Sequence, residues 1–314
     1  MAVPPFHEGE REAQRRAGAV LMQAAIRDAM PDQHRLFFAG LTYLAIAGRT
    51  ADGGVAADGG LAAGVLCGPA GFVSSPDPTR LVIRTLPDAT DPLAAALRPG
   101  APVGVLGIDF ATRRRNRANG RILSSGPEGM IIAVEQSFGN CPKYIQTREI
   151  VATGPEPSGS WVGLGGLNDR ARALIRSADS FLVASSSGSG PLSHGGVDIS
   201  HRGGRPGFVT VNGETLTIPD FAGNRYFNTL GNFLRHPRAA LLFIDFETGD
   251  LFHLEGRVSV DWFPDPVCEG AQRSWTVALD AIRWRPGGLP LRWAFGDWSP
   301  ATLATGRYPE SAAG

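Results

Sequence analysis

The sequence is sparing in the features that usually announce a function. Its 314 residues carry 30 lysines and arginines against 30 aspartates and glutamates, so there is no net charge. With no global field to recruit nucleic acid or an acidic membrane, a small-molecule partner is the expectation. There are only three cysteines, Cys67, Cys141 and Cys268, odd in number and far apart. That spacing excludes a disulfide framework, a zinc cluster and an iron–sulfur site, and fits a reducing compartment. No apolar run reaches membrane-spanning length, and the charged N-terminus lacks an apolar leader core, so no membrane partner is expected and a cytoplasmic location follows by default. His34, His194, His201, His236 and His253 do not fall at metal-ligand spacing, and each reads first as a surface or structural side chain. No metal is expected.

What is abundant is punctuation. Forty-one glycines and 24 prolines interrupt the chain often, which favours many short strands over long helices, while 43% hydrophobic residues suffice for a core. Residues 8–29 read as a helical packing arm with Ala19, Met22, Ile26 and Met30 on one face. A second helix opens at Pro31-Asp32, followed by the strand YLAIAGRT and a turn at Ala51-Asp52-Gly53-Gly54. Strands then recur at roughly ten-residue intervals, the rhythm of an antiparallel sandwich or barrel.

The second half repeats the first. At an offset of 136, Gly71-Phe72-Val73 falls on Gly207-Phe208-Val209, Ile108-Asp109-Phe110 on Ile244-Asp245-Phe246, and Gly120-Arg121 on Gly256-Arg257. Two copies of one β-rich domain are therefore expected, divided in the Gly/Pro/Ser stretch 153–160. The expected plan is a helical arm over 1–30, a first domain over 31–153, a second over 161–260, and a Trp-rich tail over 261–314 that packs on the outside.

The copies differ in residues 193–237. There GFVTV and ETLTIP flank Asn212-Gly213, the signature of a tight hairpin. Beyond Pro219-Asp220, the spacing of Tyr226, Phe227, Leu230, Phe233 and Leu234 predicts a helix ending before Pro237, with Gly223, Asn224 and Arg225 at its start. A helix start with a guanidinium beside it suits a phosphate; an ordinary surface cap is the plainer reading. The first copy lacks the Asn-Arg pair and reads LCGPA where the second reads SHRGGRP, whereas only the first ends in QSFGNCPKYIQTREI. Each copy has kept part of a site. If the halves pack face to face, one complete composite site and one degenerate mate result.

At these residues the chain resembles the pyridoxamine 5′-phosphate oxidase-like FMN-binding split-barrel family, in a tandem subgroup similar to modules fused to ferredoxin reductase-like domains. The resemblance is carried by Asp198-Ile199-Ser200-His201-Arg202-Gly203, then Pro206-Gly207-Phe208-Val209. It continues in Thr215-Leu216-Thr217-Ile218-Pro219-Asp220, in Gly223-Asn224-Arg225, and in His236-Pro237-Arg238. Asn140-Cys141-Pro142-Lys143 is similar to a His-Cys-x-Lys type segment of the same family, with Asn in place of His. The resemblance implies a mainly β fold with short helices: two tandem six-stranded Greek-key split β-barrels packed as an intrachain pseudo-dimer. It implies non-covalent FMN between them, held by Ser200, Arg202, Pro206, Gly207, Phe208, Asn224, Arg225 and Asn228 of one half and Cys141 and Lys143 of the other.

The function implied is hydride or electron transfer through FMN to a small-molecule substrate, with NAD(P)H or a separate reductase as donor. No acid–base residue is required for it. The alternative is a non-catalytic FMN- or haem-binding carrier or sensor, and a homodimer is compatible with either. Two further features stay open between readings. The run ATRRRNRANGR is a solvated hairpin tip or a loop for a nucleotide 2′-phosphate, and Cys141 is a buried small side chain or a redox thiol.

Overall fold

In the computed structural model, residues 5–19, 25–50, 60–154, 157, 159–188, 195–264 and 268–308 are described. The expected turn at Ala51-Asp52-Gly53-Gly54, Met22 of the arm, and Ser193 and His194 lie outside them. Two helices, α1 (Glu8–Arg16) and α2 (Asp32–Ala39), precede the first sheet, which contains β1 (Tyr43–Arg49), β2 (Leu61–Cys67), β3 (Val73–Ser74), β4 (Arg80–Ile83), β5 (Pro102–Asp109), β6 (Arg114–Gly126) and β7 (Gly129–Gly139). Strands β8 (Arg148–Thr153) and β9 (Val162–Leu164) and helix α3 (Asp169–Ser177) lead into the second sheet. That sheet contains β10 (Ser180–Ser186), β11 (Val197–Gly203), β12 (Thr210–Asn212), β13 (Thr215–Phe221), β14 (Arg238–Ile244), β15 (Leu251–Asp261) and β16 (Ala271–Arg285), with β9 joining it by pairing with β16 and α4 (Asn228–Arg235) lying between β13 and β14. Strand β17 (Leu291–Phe295) and helix α5 (Pro300–Leu303) follow.

The duplication is written in the strand order. The first sheet runs β2-β1-β5-β6-β7-β4-β3 and the second β11-β10-β14-β15-β16-β13-β12, the same path in equivalent strands. Both carry an antiparallel register shift at the same place, between Asn119 and Gly120 and between Glu255 and Gly256. A Cβ on Gly120 would stand 1.8 Å from the Ala133 carbonyl oxygen, and one on Gly256 2.3 Å from that of Ala278. The matched Gly-Arg pairs are thus bulge residues, where only glycine lets the strands close up.

Alternation along β1 explains how the two units meet. Leu44 and Ile46 point into a first core that gathers side chains from β1 through β7, so the sheet is rolled round it as a barrel. Tyr43, Ala45 and Ala47 point the other way, into an interface core shared with Leu182, Ala184, Val197, Ile199, Ala240 and Leu242. The interface is made by β1, β2 and β5 against the equivalent β10, β11 and β14, as two-fold-related units require. Ala45, Ala47 and Ala63 of the first unit and Ala184 and Ala240 of the second let the two sheets approach closely, and both faces of β10 and β14 are buried. The second barrel has its own core around Phe181, Phe243, Phe252 and Trp275. The mainly β architecture is therefore two tandem split barrels packed as a pseudo-dimer within one chain.

Four expectations need correction. The second unit does not end at residue 260, because β16 lies in its sheet between β15 and β13 and buries Trp275 completely. Trp293 is likewise inside the interface core, so the Trp-rich segment is core and not an external tail. The arm is no single helix over 8–29: α1 stops at Arg16, and Gly18 takes a left-handed φ of 59°. The hairpin turn is Gly213-Glu214, one residue later than Asn212-Gly213, since Asn212 pairs with Thr215 and only Gly213 has positive φ. No helix among the described residues is long and apolar enough to cross a membrane.

Candidate functional site

A cleft opens between the barrels, enclosing about 970 Å³ with its open mouth included. The first barrel contributes Leu106, Arg115 and Arg117 and the turn at Asn140, Cys141, Lys143 and Tyr144. The second contributes β11 at Ser200, His201, Arg202 and Gly203, β13 at Pro219, Asp220 and Phe221, and the segment from Gly223 to Leu230. The site is composite, with walls from both barrels.

Strand β6 positions the first barrel's cations. Period-two alternation puts Arg115, Arg117 and Asn119 on one face, so the arginine run is strand and not a solvated tip. Arg117 Nη1 donates to Asp198 at 2.8 Å, and its Nη2 donates to the Ile199 carbonyl at 2.9 Å and to Ser200 Oγ at 2.5 Å. Arg115 Nε donates to the Cys141 carbonyl at 2.8 Å and its Nη1 to the His201 carbonyl at 3.3 Å. Two arginines of one barrel therefore cap alternate carbonyls along the edge strand of the other.

Residues 222–227 form a loop before α4, not the helix start that the sequence suggested. Arg225 and Phe227 have φ of 63° and 60°, a left-handed conformation that no α-helix accepts and that is strained in residues with a Cβ. Asn224 Oδ1 accepts from the Tyr226 amide at 3.1 Å and tightens the turn. Strain of roughly 1–3 kcal/mol per residue persists only where surroundings hold it. Here the N-terminal arm does so. Gln14 Nε2 donates to the Tyr226 carbonyl at 3.0 Å, the Tyr226 ring contacts Phe6 and Phe138, and its hydroxyl accepts from the Ala25 amide at 3.0 Å. Asn228, the first residue of α4, donates to Glu10.

Helix α1 reaches this loop because glycines meet glycines. A Cβ on Gly9 would lie 2.4 Å from the Gly231 carbonyl oxygen, and one on Gly231 2.5 Å from Glu10 Cα. His7 caps α1, its Nδ1 accepting from the Gly9 amide while Glu10 accepts from the His7 amide, and His7 Nε2 meets Asn232 Oδ1 at 2.9 Å. Burial, and then the nearby Asp198 charge, push the Glu10 carboxyl up to about 8. Burial also lowers the His7 imidazole.

Charge in the cleft is unbalanced. Arg202 and Arg273 share Asp220, at 2.9 and 3.0 Å, and Arg273 stacks over Phe227. Arg117 is matched by Asp198. Arg115, Lys143 and Arg225 make no ion pair among the described residues. Arg202 Nε, Arg117 Nε and Asn140 Nδ2 are buried without a hydrogen-bond partner. His201 is buried and held neutral, its imidazole pushed well below the usual range by desolvation and by Arg115 and Arg148.

Of the residues picked out by sequence, Cys141, Lys143, Ser200, Arg202, Phe208, Asn224, Arg225 and Asn228 border the cleft. Pro206 and Gly207 do not. They form a turn in which the Gly207 amide donates to the Arg176 carbonyl and Arg205 reaches Leu303, so they face α3 and α5. Phe208 is 1% exposed and belongs chiefly to the second barrel's core. Sequence reasoning missed Arg115, Arg117 and Arg273, whose signal was the two-residue alternation, and the arm residues His7, Glu10 and Gln14, which act across the whole chain length.

The pseudo-symmetric mate is packed shut. Register places His253 where Arg117 stands, Glu255 where Asn119 stands, and Gly64 where Ser200 stands. His253 Nε2 accepts from the Ala63 amide at 3.2 Å, Trp161 packs on its ring, and a Cβ on Gly64 would lie 3.0 Å from Leu93 Cδ2.

No family model matches the chain, and no curated protein does. Among solved structures, HupZ of Group A Streptococcus aligns at 11% identity over 40% of this chain and 98% of its own, with a TM-score of 0.31. A protein of Lactobacillus delbrueckii provisionally assigned as a pyridoxamine 5′-phosphate oxidase aligns at 15% identity over 38% of this chain and 97% of its own, with a TM-score of 0.29. The Bacillus subtilis inhibitor of motility MotI/DgrA aligns at 11% identity over 76% of this chain and 88% of its own, with a TM-score of 0.21. Likeness of this degree bears on no functional argument, which rests on the cleft itself.

Proposed function

We propose that the cleft binds one FMN and that the chain is an FMN-dependent oxidoreductase acting on a small molecule. The observation that carries this reading is the charge excess: Arg115, Arg117, Lys143, Arg202, Arg225 and Arg273 line a cavity in which Asp220 is the one carboxylate among the described lining residues, with Asp198 beneath it paired to Arg117. A phosphate monoester brings about two negative charges and several strong acceptor oxygens, and answers part of that excess. Arg225 and Asn224 on the strained loop, with Asn228 and Thr229 at the first turn of α4, are the groups that would hold it. Ser200 and Arg202 on the edge strand, with Phe221 and Phe227 as apolar walls, suit a broad ring having one polar edge.

When bound, FMN supplies hydride or electron transfer at its ring. The chain's own residues bind and orient. The arm fixes the phosphate loop, the two barrels exclude water from either side, and Lys143 and Arg115 supply positive charge that favours an anionic reduced ring.

The alternative of a non-catalytic FMN or haem carrier is separated by one preparation. An absorbance spectrum of the purified protein is expected to show flavin bands that bleach on adding NADH, NADPH or a reductase. A haem spectrum, or a colourless protein that leaves FMN fluorescence unquenched, is the contrary result.

A further inference from the structure

A single phosphate leaves cations in this cleft unanswered, and they are not spread evenly. The loop end holds Arg225 and the first turn of α4. Toward the first barrel stand Arg115 and, two residues beyond the carbonyl it holds, Lys143. Arg115 is the more telling of the two. Its hydrogen-bond partners are the carbonyls of Cys141 and His201, and no carboxylate acts on it. Its charged neighbours Arg117 and Arg202 repel it, His201 behind it is neutral, and burial lowers its guanidinium to about 10. Arg115 is half-buried, and drawing a cation even partly from water without a counter-ion carries a cost that two carbonyl dipoles offset only in part. An arginine is retained in such a place where an oxyanion arrives, because its planar fork matches carboxylate and phosphate geometry.

We infer that Arg115, assisted by Lys143, forms a second oxyanion subsite in the cleft, which receives the carboxylate or phosphate group of a small anionic substrate. That the occupant is a substrate lying beside a flavin rests on the FMN reading; that the subsite exists does not. The competing account makes Arg115 a staple that joins the Cys141 turn to β11 and binds nothing.

Inorganic phosphate and acetate titrated calorimetrically into the protein decide between them. FMN-free protein is expected to bind two phosphates, and FMN-loaded protein one, with acetate competing for the one that remains. Arg115→Met is expected to weaken that remaining site by about tenfold or more, the worth of a charged hydrogen bond. Arg115→Lys is expected to restore most of it, and Lys143→Gln, at an exposed position, to weaken it without touching the Cys141 and His201 carbonyls. Arg225→Met is expected to remove the other phosphate. If FMN fails to bind at all, the two-phosphate titration of the free protein still stands or falls on the Arg115 and Arg225 variants separately. Phosphate binding unchanged in both Arg115→Met and Lys143→Gln, or absent from FMN-loaded protein, overturns the subsite and leaves the staple.

Discussion

Arg117, on β6 of the first barrel, donates at 2.8 Å to Asp198, on β11 of the second, and both side chains are buried. Asn119 and Asn232 also donate to Asp198, at 2.7 and 2.9 Å, so strands of both barrels and α4 converge on a single carboxylate beneath the cleft.

Removing that carboxylate strands a buried guanidinium. Asp198→Ala is expected to destabilise the protein by about 3–5 kcal/mol, and the double variant Asp198→Ala with Arg117→Met to recover part of the loss. Urea unfolding measures both. A single-variant loss below about 1 kcal/mol would remove the pair from its structural role.

The helix crossing gives a second test. Gly231→Ala pushes a methyl into the backbone of Glu10 and is expected to cost roughly 1–3 kcal/mol, to expose the arm to protease, and to weaken FMN through the loosened loop. Gly163→Ala, where nothing lies within 4 Å, is the control and should change none of these. Equal behaviour of the two variants would show that the arm does not hold the loop.

Glu10 sets a pH dependence. Its folded pKa of about 8 lies above its ordinary 4.5, so the unfolded chain sheds this proton first. Its contribution is fully present below about pH 4.5 and is lost as pH rises toward 8, by up to ~1.4 kcal/mol per unit. The lowered His7, His201 and His253 act in the opposite sense, costing stability as pH falls below 6.5. Glu10→Gln is therefore expected to flatten the fall between pH 6 and 8 and leave the acid limb in place. Parallel profiles for the two proteins would contradict the buried carboxyl.

Much of this was legible in the sequence, and the rest was hidden for physical reasons. The repeat exposed the tandem barrels because duplicated strands keep bulge glycines and strand ends, as at Gly120 and Gly256. Asn224, Arg225 and Lys143 could be picked out as residues that border the cleft because the stretches carrying them are local in the sequence. Arg115 and Arg117 were hidden by composition: five arginines in eleven residues look like solvent until the alternate ones are seen to point into another domain. The arm's Glu10 and Gln14 meet Asn228 and Tyr226 more than two hundred residues away, and no pattern along the chain records such a contact.

Arg225 carries the loop's charge at the surface, so Arg225→Met should leave folding intact while weakening FMN by about tenfold to a hundredfold. Arg205→Met, outside the cleft, should leave the affinity unchanged. Fluorescence titration compares them, and equal affinities would move the phosphate elsewhere.

The central claim is one composite site and one sealed mate. The most direct measurement is the stoichiometry of FMN bound per chain, by fluorescence quenching at protein concentrations well above the dissociation constant. The account predicts one FMN per chain. Two per chain, or none, would contradict it.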